Sequence, residues 1–396
     1  MSVEISEKDL ETWAEYLLSY SLGGIEPDDV VMLKGEPVTW PLLSKLQDKV
    51  FAAGAIADLN LVAPDNDRGK VFGASIARHG SVEQIARVPG WHRERYESMT
   101  KYVEVMGSER PELFDGLPDD TAMALAKADE EFRRTRGLKR WVLTLFPTQG
   151  FADIEEMSLA DYARVVVAAS TQDPRKLETI EEPIRQLMDR SKRLRFVTRC
   201  PKHDRDLELS IDISPGKAIP CTGIRNFPDG EVFTSPDSRH TEGEIFVDMP
   251  VFQGGAVIEG VYLKFEGGNI VDYRANKGGD ALAKIIETDA GSKRLGEVAL
   301  GMNAGIEAVL RHPLFVEKVG GTVHIAIGAS YPICFTDDPA SEAGQARVAA
   351  LAEEGVFNKS AQHVDIVTDF RGNGAGKAVF FDDTEVVVRD GIWVLP

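Results

Sequence analysis

The sequence predicts an α/β N-terminal domain with a mostly parallel sheet, followed by a mostly-β (α+β) C-terminal domain, with the boundary between residues 198 and 199. The first half alternates helical and extended segments, which is typical of an α/β layer. After about residue 200, alternating strands and glycine pairs such as Gly267-Gly268 indicate antiparallel hairpins. With 396 residues, 43% of them hydrophobic, the chain is long enough for two cores.

Helices and strands follow one another along the N-terminal domain. Leu10, Trp13 and Leu17 recur at helical spacing and predict a first helix over 6–20. The charged stretch 179–195 is predicted to lead out of the domain. The elements between them are predicted as strands at 30–34, 56–62, 102–106 and 141–146, and as helices at 42–53, 121–136 and 158–169.

The C-terminal domain shows the two-residue alternation of apolar side chains that is expected for strands with one buried face. Leu207, Leu209 and Ile211 share one face of such a strand. A second strand enters a turn at 266–269, after which a third strand begins. Segment 322–328 is predicted as a buried strand, and the tail at 378–395 as hairpins.

Composition indicates a cytoplasmic protein without nucleic-acid or membrane partners. The formal charge of −19 disfavours binding to nucleic acid or to an anionic membrane. No apolar run approaches the length of a membrane span, and the opening residues lack the pattern of a signal peptide. Cys200, Cys221 and Cys334 have no Cys-x-x-Cys spacing, which indicates a reducing compartment.

Residues of metal-binding types recur in the C-terminal half. His324 is the polar residue of an otherwise apolar strand, on its inward face. His363 and Asp365 lie two apart, so in an extended chain they share a face and can bind one ion. Glu297 lies in the apolar run Leu-Gly-Glu-Val-Ala-Leu, where a buried carboxylate needs a partner. Together with Glu231, which opens a short apolar strand after a turn, they predict a metal centre.

The charge of this set favours two ions. Three carboxylates and two neutral imidazoles carry a formal charge of three minus, which two divalent cations exceed by one. The remaining positive charge suits a bound hydroxide. Mixed imidazole and carboxylate ligands are compatible with Zn, Co or Mn. We therefore expect a two-metal hydrolytic centre.

Several of these residues, taken singly, also have a structural explanation, although Glu297 is the hardest of them to explain in this way. His324 alone is more simply a hydrogen-bonded core histidine, and Glu231 and Asp365 alone are ordinary surface acids. Tyr331 follows His324 by seven residues, where a turn ends the strand. Its ring either packs on Pro332 or supplies a phenol that donates to a developing oxyanion.

The sequence around these residues resembles the M29 family of metallo-aminopeptidases, the aminopeptidase S and aminopeptidase T group. The most similar segments are Asn-Phe-Pro-Asp-Gly-Glu-Val-Phe-Thr-Ser-Pro at 226–236 and Asp-Ala-Gly-Ser-Lys-Arg-Leu-Gly-Glu-Val-Ala-Leu-Gly-Met-Asn at 289–303. Further similar segments lie at 324–328 with Tyr331, at 363–365, and in the N-terminal half at 91–96, 107–113 and 146–151. They occur in the family's order and span most of the chain.

The resemblance implies an enzyme that removes N-terminal amino acids from peptides and prefers apolar first residues. It also implies a homodimer whose N-terminal domains provide scaffolding, dimer contacts or a wall of the substrate cavity. Segments 204–207 and 214–217 depart from the family pattern and indicate a differently shaped substrate pocket. Under this resemblance Glu231, Glu297, His324, His363 and Asp365 are the metal ligands and Tyr331 helps to stabilise the transition state. The expected cofactor is two divalent ions per chain (Zn, Co or Mn). The sequence reveals no separate general base, and Glu297 or Glu231 is expected both to bind metal and to shuttle protons.

Two other functions are compatible with part of the pattern. His324, His363 and Asp365 alone form a two-histidine, one-carboxylate set suited to non-haem Fe(II) chemistry. The 2,5-dihydroxypyridine dioxygenases look related to this fold and use such a set. Glu231 and Glu297 would then have no role, so their presence favours the peptidase. The third alternative is a binding protein without catalytic activity on the same scaffold.

Overall fold

The protein consists of two compact units. The structure is a computed structural model that describes residues 4–62, 74–111, 117–200, 204–253, 256–371 and 376–395. The first unit comprises Met1–Pro174 and Gly223–Pro228, and the second comprises Arg175–Thr222 and Asp229–Pro396. The domain boundary between residues 198 and 199 remains a prediction about where independently folding parts divide.

The helices begin where the sequence supplies capping side chains. Hydroxyl groups of Ser6, Thr148 and Ser158 accept hydrogen bonds from backbone N–H groups in the first turns of three helices. Within the described ranges, no helix is both long and apolar enough to cross a membrane. The helices are α1 Glu7–Glu15, α2 Trp40–Ala52, α3 Ala74–His79, α4 Val82–Ile85, α5 Gly90–Ser98, α6 Asp119–Gly137, α7 Gln149–Ile154, α8 Leu159–Ser170, α9 Arg175–Arg190, α10 Gly279–Ile286, α11 Pro313–Val316 and α12 Glu342–Glu353.

The strands are rich in β-branched and aromatic residues, as expected from their preference for extended backbone. They are β1 Val30–Gly35, β2 Ile56–Leu61, β3 Lys101–Met106, β4 Arg140–Leu145, β5 Arg193–Cys200, β6 Arg205–Asp212, β7 Ile219–Cys221, β8 Asn226–Phe227, β9 Glu231–Thr234, β10 Thr241–Val247, β11 Val251–Gln253, β12 Ala256–Ile258, β13 Val261–Glu266, β14 Asn269–Arg274, β15 Leu295–Gly301, β16 Thr322–Gly328, β17 His363–Asp369, β18 Ala378–Phe381, β19 Thr384–Arg389 and β20 Ile392–Val394.

The first unit contains the predicted parallel sheet, in the order β2-β1-β3-β4-β8. Every pairing between these strands is parallel. Parallel strands are covered on both faces, and accordingly Val31, Met32, Leu33 and Val103 are fully buried. The predicted α/β class of the N-terminal part is confirmed.

The second unit is mostly antiparallel β-structure, which confirms the predicted class of the C-terminal part. One sheet has the order β14-β13-β10-β6-β5-β18-β19-β20, and another has the order β17-β16-β15-β9-β7. A single hydrophobic cluster contains side chains from both sheets, for example Leu209 and Phe265 from one and Val298 and Ile325 from the other. Burial of these apolar faces stabilises the unit.

The β13–β14 hairpin forms where the sequence predicts it. Glu266 pairs with Asn269, and Gly267 and Gly268 have φ values of 56° and 77°. Positive φ at both central positions defines the turn type that suits a two-residue hairpin, and glycine adopts it without steric cost. The tail also forms the predicted hairpins, through the pairs β18–β19 and β19–β20.

The charged stretch 179–195 differs from its predicted role as a segment that leaves the first domain. Most of it belongs to α9, which lies in the second unit. Ile184, Leu187 and Met188 are buried in the core of that unit. Their i, i+3, i+4 spacing places them on one face of the helix, while the charged residues occupy the other faces.

Candidate metal centre

The sheet of order β17-β16-β15-β9-β7 carries the predicted metal ligands. Four of its five strands, β9, β15, β16 and β17, each contribute at least one of the five side chains. Antiparallel pairing therefore brings together residues that are far apart in the sequence. Glu231 opens β9, Glu297 lies in β15, His324 lies in β16, and His363 and Asp365 begin β17.

The strand register places these side chains on one face. Glu297 is opposite Ala326, and Ala326 is opposite Asp365 on the next strand. His324 is opposite Ala299 and lies two residues before Ala326, so it shares their face. The small side chains of Ala299 and Ala326 leave room between the larger polar groups.

The opposite face of the same strands is apolar. Val298, Leu300, Ile325, Ile327 and Ile366 alternate with the polar residues and belong to the core of the second unit. A shift of one residue in any strand would move its ligand into this core, which would leave a charged group buried among apolar side chains. Core packing thus determines the register that assembles the polar cluster.

The carboxylate of Glu297 lies between the two histidines. Its Oε1 atom is 3.5 Å from Nε2 of His324, and its Oε2 atom is 3.0 Å from Nε2 of His363. Nε2 of His324 is also 3.4 Å from Oε2 of Glu231, and Nε2 of His363 is 3.5 Å from Oδ1 of Asp365. Each oxygen of Glu297 therefore faces a different histidine, and each histidine also lies near a second acid.

These contacts define two triplets that share one residue. Glu231, Glu297 and His324 form the first triplet, and Glu297, His363 and Asp365 form the second. In each triplet, one ligand-type atom per residue lies within 4.8 Å of the others. Both triplets include Glu297, and its two oxygens face the histidines of different triplets.

Local backbone features orient two of these side chains. Nδ1 of His363 lies 2.8 Å from the carbonyl oxygen of Ala329, so a proton on Nδ1 is donated there and Nε2 is directed at the polar cluster. The pairing of β15 with β16 shifts register between Leu295 and Glu297. A Cβ atom on Gly296 would lie 2.1 Å from the same carbonyl oxygen, so only glycine fits this close approach.

Tyr331 lies beside the second triplet. Its ring centroid is 4.7 Å from that of His363 and 5.3 Å from that of Phe233. Its backbone N–H donates to Oγ of Ser235 at 2.8 Å. Desolvation by the surrounding side chains and the negative charge of Glu297 raise the pKa of the phenol well above its usual value, so the phenol remains a hydrogen-bond donor at neutral pH.

The donors of the cluster fit divalent cations. Oε2 of Glu231 and Oδ1 of Asp365 are buried and form no hydrogen bond within the described part of the chain. Buried carboxylate oxygens without a partner are costly, and a bound cation removes that cost. Imidazole nitrogens mixed with carboxylate oxygens are ligands for Zn, Co or Mn.

Comparison with known proteins identifies the family. The model of a family described as thermophilic metalloprotease (M29) matches residues 6–393. The chain belongs to this family. The M29 assignment agrees with the metal-binding character of the polar cluster, and it confirms the resemblance found in the sequence.

Relatives of this M29 chain are aminopeptidases by name. Aminopeptidase T of Thermus thermophilus is 36% identical over 144 residues, which cover 35% of this chain and 33% of that protein. The match to this relative thus spans about a third of its length. Aminopeptidase PepS of Streptococcus thermophilus is 24% identical over 427 residues, which cover 98% of each chain.

Two solved structures share the fold of this M29 chain. Wild-type AmpT from Thermus thermophilus superposes with a TM-score of 0.74 at 22% identity, over 98% of this chain and 100% of that chain. The 2,5-dihydroxypyridine dioxygenase from Pseudomonas putida KT2440 superposes with a TM-score of 0.58 at 14% identity, over 99% of each. At these identities the superpositions show a common fold.

Two charged residues at the centre were missed from the sequence. Glu317 and Lys318 directly follow α11. Glu317 forms a third metal-type triplet with His324 and Asp365, and Lys318 forms an ion pair with Glu231. A detectable signal was present, because a charged pair follows the apolar run Pro-Leu-Phe-Val and precedes a buried strand. The same argument from apolar neighbours led to Glu297.

The carboxylates hold both imidazoles in the protonated form when no metal is bound. Burial alone would lower the pKa of His324, but its hydrogen bond to Glu297 and the charge of Glu231 raise that pKa to about 9. Burial would likewise lower the pKa of His363, but the nearby carboxylates of Asp365 and Glu297 raise that pKa to about 11. In return, the pKa of Asp365 is held well below its usual value.

Metal binding should therefore release protons. Because both pKa values lie above the usual 6.5, the metal-free protein carries both protons at pH 7 and loses the first as the pH rises through about 9. A ligating imidazole must be neutral, so loading at pH 7 should release about two protons, and the affinity for metal should rise with pH. Calorimetric titration in buffers of different ionisation enthalpy measures this number, and a value near zero would contradict the assignment of the histidines as ligands.

Proposed function

We propose that this chain is a metal-dependent aminopeptidase that releases N-terminal amino acids from peptides by means of two divalent ions. Glu231, Glu297 and His324 would hold one ion, and Glu297, His363 and Asp365 the other. The observation that carries the proposal is the carboxylate of Glu297, whose two oxygens face Nε2 of two different histidines at 3.5 and 3.0 Å. A single ion would be bound by one oxygen of Glu297 and would leave the other oxygen, which faces the second histidine, without a metal.

The residues around the ions have distinct roles in this proposal. Two divalent ions held by these residues would activate a water for attack and polarise a substrate carbonyl. Because one oxygen of Glu297 faces each triplet, this carboxylate sets the spacing between the two triplets. Tyr331 donates a hydrogen bond to the oxyanion that develops on the attacked carbonyl. Glu297 or Glu231 accepts the proton that must reach the departing amine.

The proposed substrates are peptides with a free N-terminus. The exposed ring of Tyr331, which packs on the buried ring of Phe233, lies beside the second triplet and suits an apolar first side chain. The choice among Zn, Co and Mn, the homodimer and the cytoplasmic location remain predictions from the sequence.

The geometry disfavours the iron-dependent alternative. A dioxygenase centre would draw on His324, His363 and Asp365 as a single group. Within the described part of the chain, no metal-type group contains both histidines, and each histidine is grouped with glutamate instead. Glu231 and Glu297 would add two buried negative charges that a single Fe(II) does not balance.

Metal removal and replacement test the proposed activity. Protein stripped by a chelator should not hydrolyse Leu-p-nitroanilide or a Leu-peptide, and Zn²⁺, Co²⁺ or Mn²⁺ should restore hydrolysis with two ions bound per chain. A Leu-peptide with an acetylated N-terminus is the matched control and should remain intact, because the activity requires a free amine. If no metal restores cleavage and the Fe(II)-loaded protein consumes oxygen with a dihydroxypyridine, the dioxygenase function replaces the proposal.

A further inference from the structure

A buried lysine contacts one of the candidate metal ligands. The side chain of Lys318 is 2% exposed, and its Nζ atom forms an ion pair with Oε1 of Glu231. The same Nζ atom lies 3.0 Å from Oε1 of Glu317 and 3.5 Å from Oδ1 of Asp229. The formal charges of Glu317 and Lys318 cancel, so the five predicted ligands and this pair together still carry three negative charges.

Because of this lysine, the two oxygens of the Glu231 carboxylate have different surroundings. Its ammonium group occupies Oε1, while Oε2 has no hydrogen-bond partner in the described residues and faces Nε2 of His324 at 3.4 Å. An ion held by Glu231, Glu297 and His324 would thus bind to one oxygen of a carboxylate that is already shared with a positive charge. The ion and the ammonium would lie on opposite oxygens of one group and repel each other.

Among the residues that the structure describes, no lysine or arginine forms an ion pair with the second triplet. The ion pairs of Lys318 are with Glu231, Glu317 and Asp229, and none of these belongs to the triplet of Glu297, His363 and Asp365. In that triplet His363 is oriented by a neutral group, the carbonyl of Ala329. The two positions therefore differ in the charge that surrounds them, although they share Glu297.

We propose that Lys318 makes the two metal positions unequal, so that the Glu297–His363–Asp365 position fills first and the Glu231–Glu297–His324 position holds its ion more weakly. This inference rests on the two-ion centre of the proposed function. Removal of the positive charge frees Oε1 of Glu231 and ends the repulsion. Even at an effective dielectric constant of about 20, repulsion across one carboxylate exceeds what a tenfold change in affinity requires.

The test is a titration of the metal-free protein with Co²⁺ alone, followed by visible absorbance and by metal content after dialysis. Wild-type protein should bind two ions in separate steps. Lys318→Met should tighten the weaker step by at least about tenfold and leave the tighter step within about threefold. Lys318→Gln removes the charge but keeps a hydrogen-bond donor for Glu231, so it should also tighten the weaker step and remain folded if the methionine variant does not. Glu231→Gln should remove the weaker step.

The matched control is Lys34→Met in the first unit. Lys34 is 3% exposed and forms an ion pair with Glu104 at 3.1 Å, so its replacement removes an equally buried charge. This variant should show the two steps of the wild type. If Lys318→Gln weakens the second ion or leaves it unchanged while the wild type binds two ions, the role of Lys318 is wrong and the two-ion centre stands. A wild type that binds fewer than two ions overturns both.

Discussion

Glu297→Gln should lower kcat/KM for a Leu-peptide by more than about 1,000-fold and should weaken both ions. Loss of a second-shell partner commonly costs 10- to 100-fold in metal affinity or activity, and Glu297 faces both histidines directly. The amide keeps the shape of the side chain but offers one neutral oxygen, so it cannot serve both positions. Steady-state kinetics and metal content after dialysis measure the two effects.

Glu104→Gln is the matched control for this variant. Glu104 is also buried, with 8% exposure, and it accepts a hydrogen bond from Tyr102 at 2.6 Å in the first unit. Its replacement should lower thermal stability while metal content and kcat remain near the wild-type values. Retention of two tightly bound ions by Glu297→Gln would show that Glu297 does not bridge them.

Tyr331→Phe should lower kcat about 100- to 1,000-fold and leave metal content unchanged, which is the range for loss of one oxyanion donor. Phenylalanine keeps the ring contacts with His363 and Phe233, so the substitution removes the hydroxyl group alone. A transition-state role predicts that KM changes little. Steady-state kinetics with a Leu-peptide separate the two parameters.

Tyr262→Phe provides the comparison for the tyrosine variant. The hydroxyl group of Tyr262 also forms a hydrogen bond, because it donates to Glu244 at 2.9 Å in another sheet of the second unit. Its replacement should leave kcat near the wild-type value. A kcat of Tyr331→Phe within about twofold of wild type would exclude a role for the phenol in the reaction and support an aromatic packing role.

The strand patterns carried much of the site prediction. The alternation around His324 and the two-residue spacing of His363 and Asp365 each predict which face of a strand the side chain occupies, and the structure has these strands at 322–328 and 363–369. This worked because one face of each strand is apolar, and burial of that face leaves a single acceptable register. The role of these side chains as ligands remains a proposal.

Local patterns were less informative where charge obscured amphipathicity. Segment 179–195 was interpreted as leaving a domain because it is rich in charged residues, yet α9 buries Ile184, Leu187 and Met188 on one face. The helical spacing of these residues was available in the sequence. This spacing indicates an amphipathic helix with one buried face, which the charge content alone does not reveal.

Local periodicity and motifs were sufficient to predict the two fold classes, the family and the strand faces of His324, His363 and Asp365. Only the tertiary structure decided that the two oxygens of Glu297 face different histidines and that Lys318 is buried against Glu231, 87 residues away. The physical reason is that these contacts join separate strands and a loop. Their distances depend on how the sheet register and the core bring distant segments together, which no local pattern encodes.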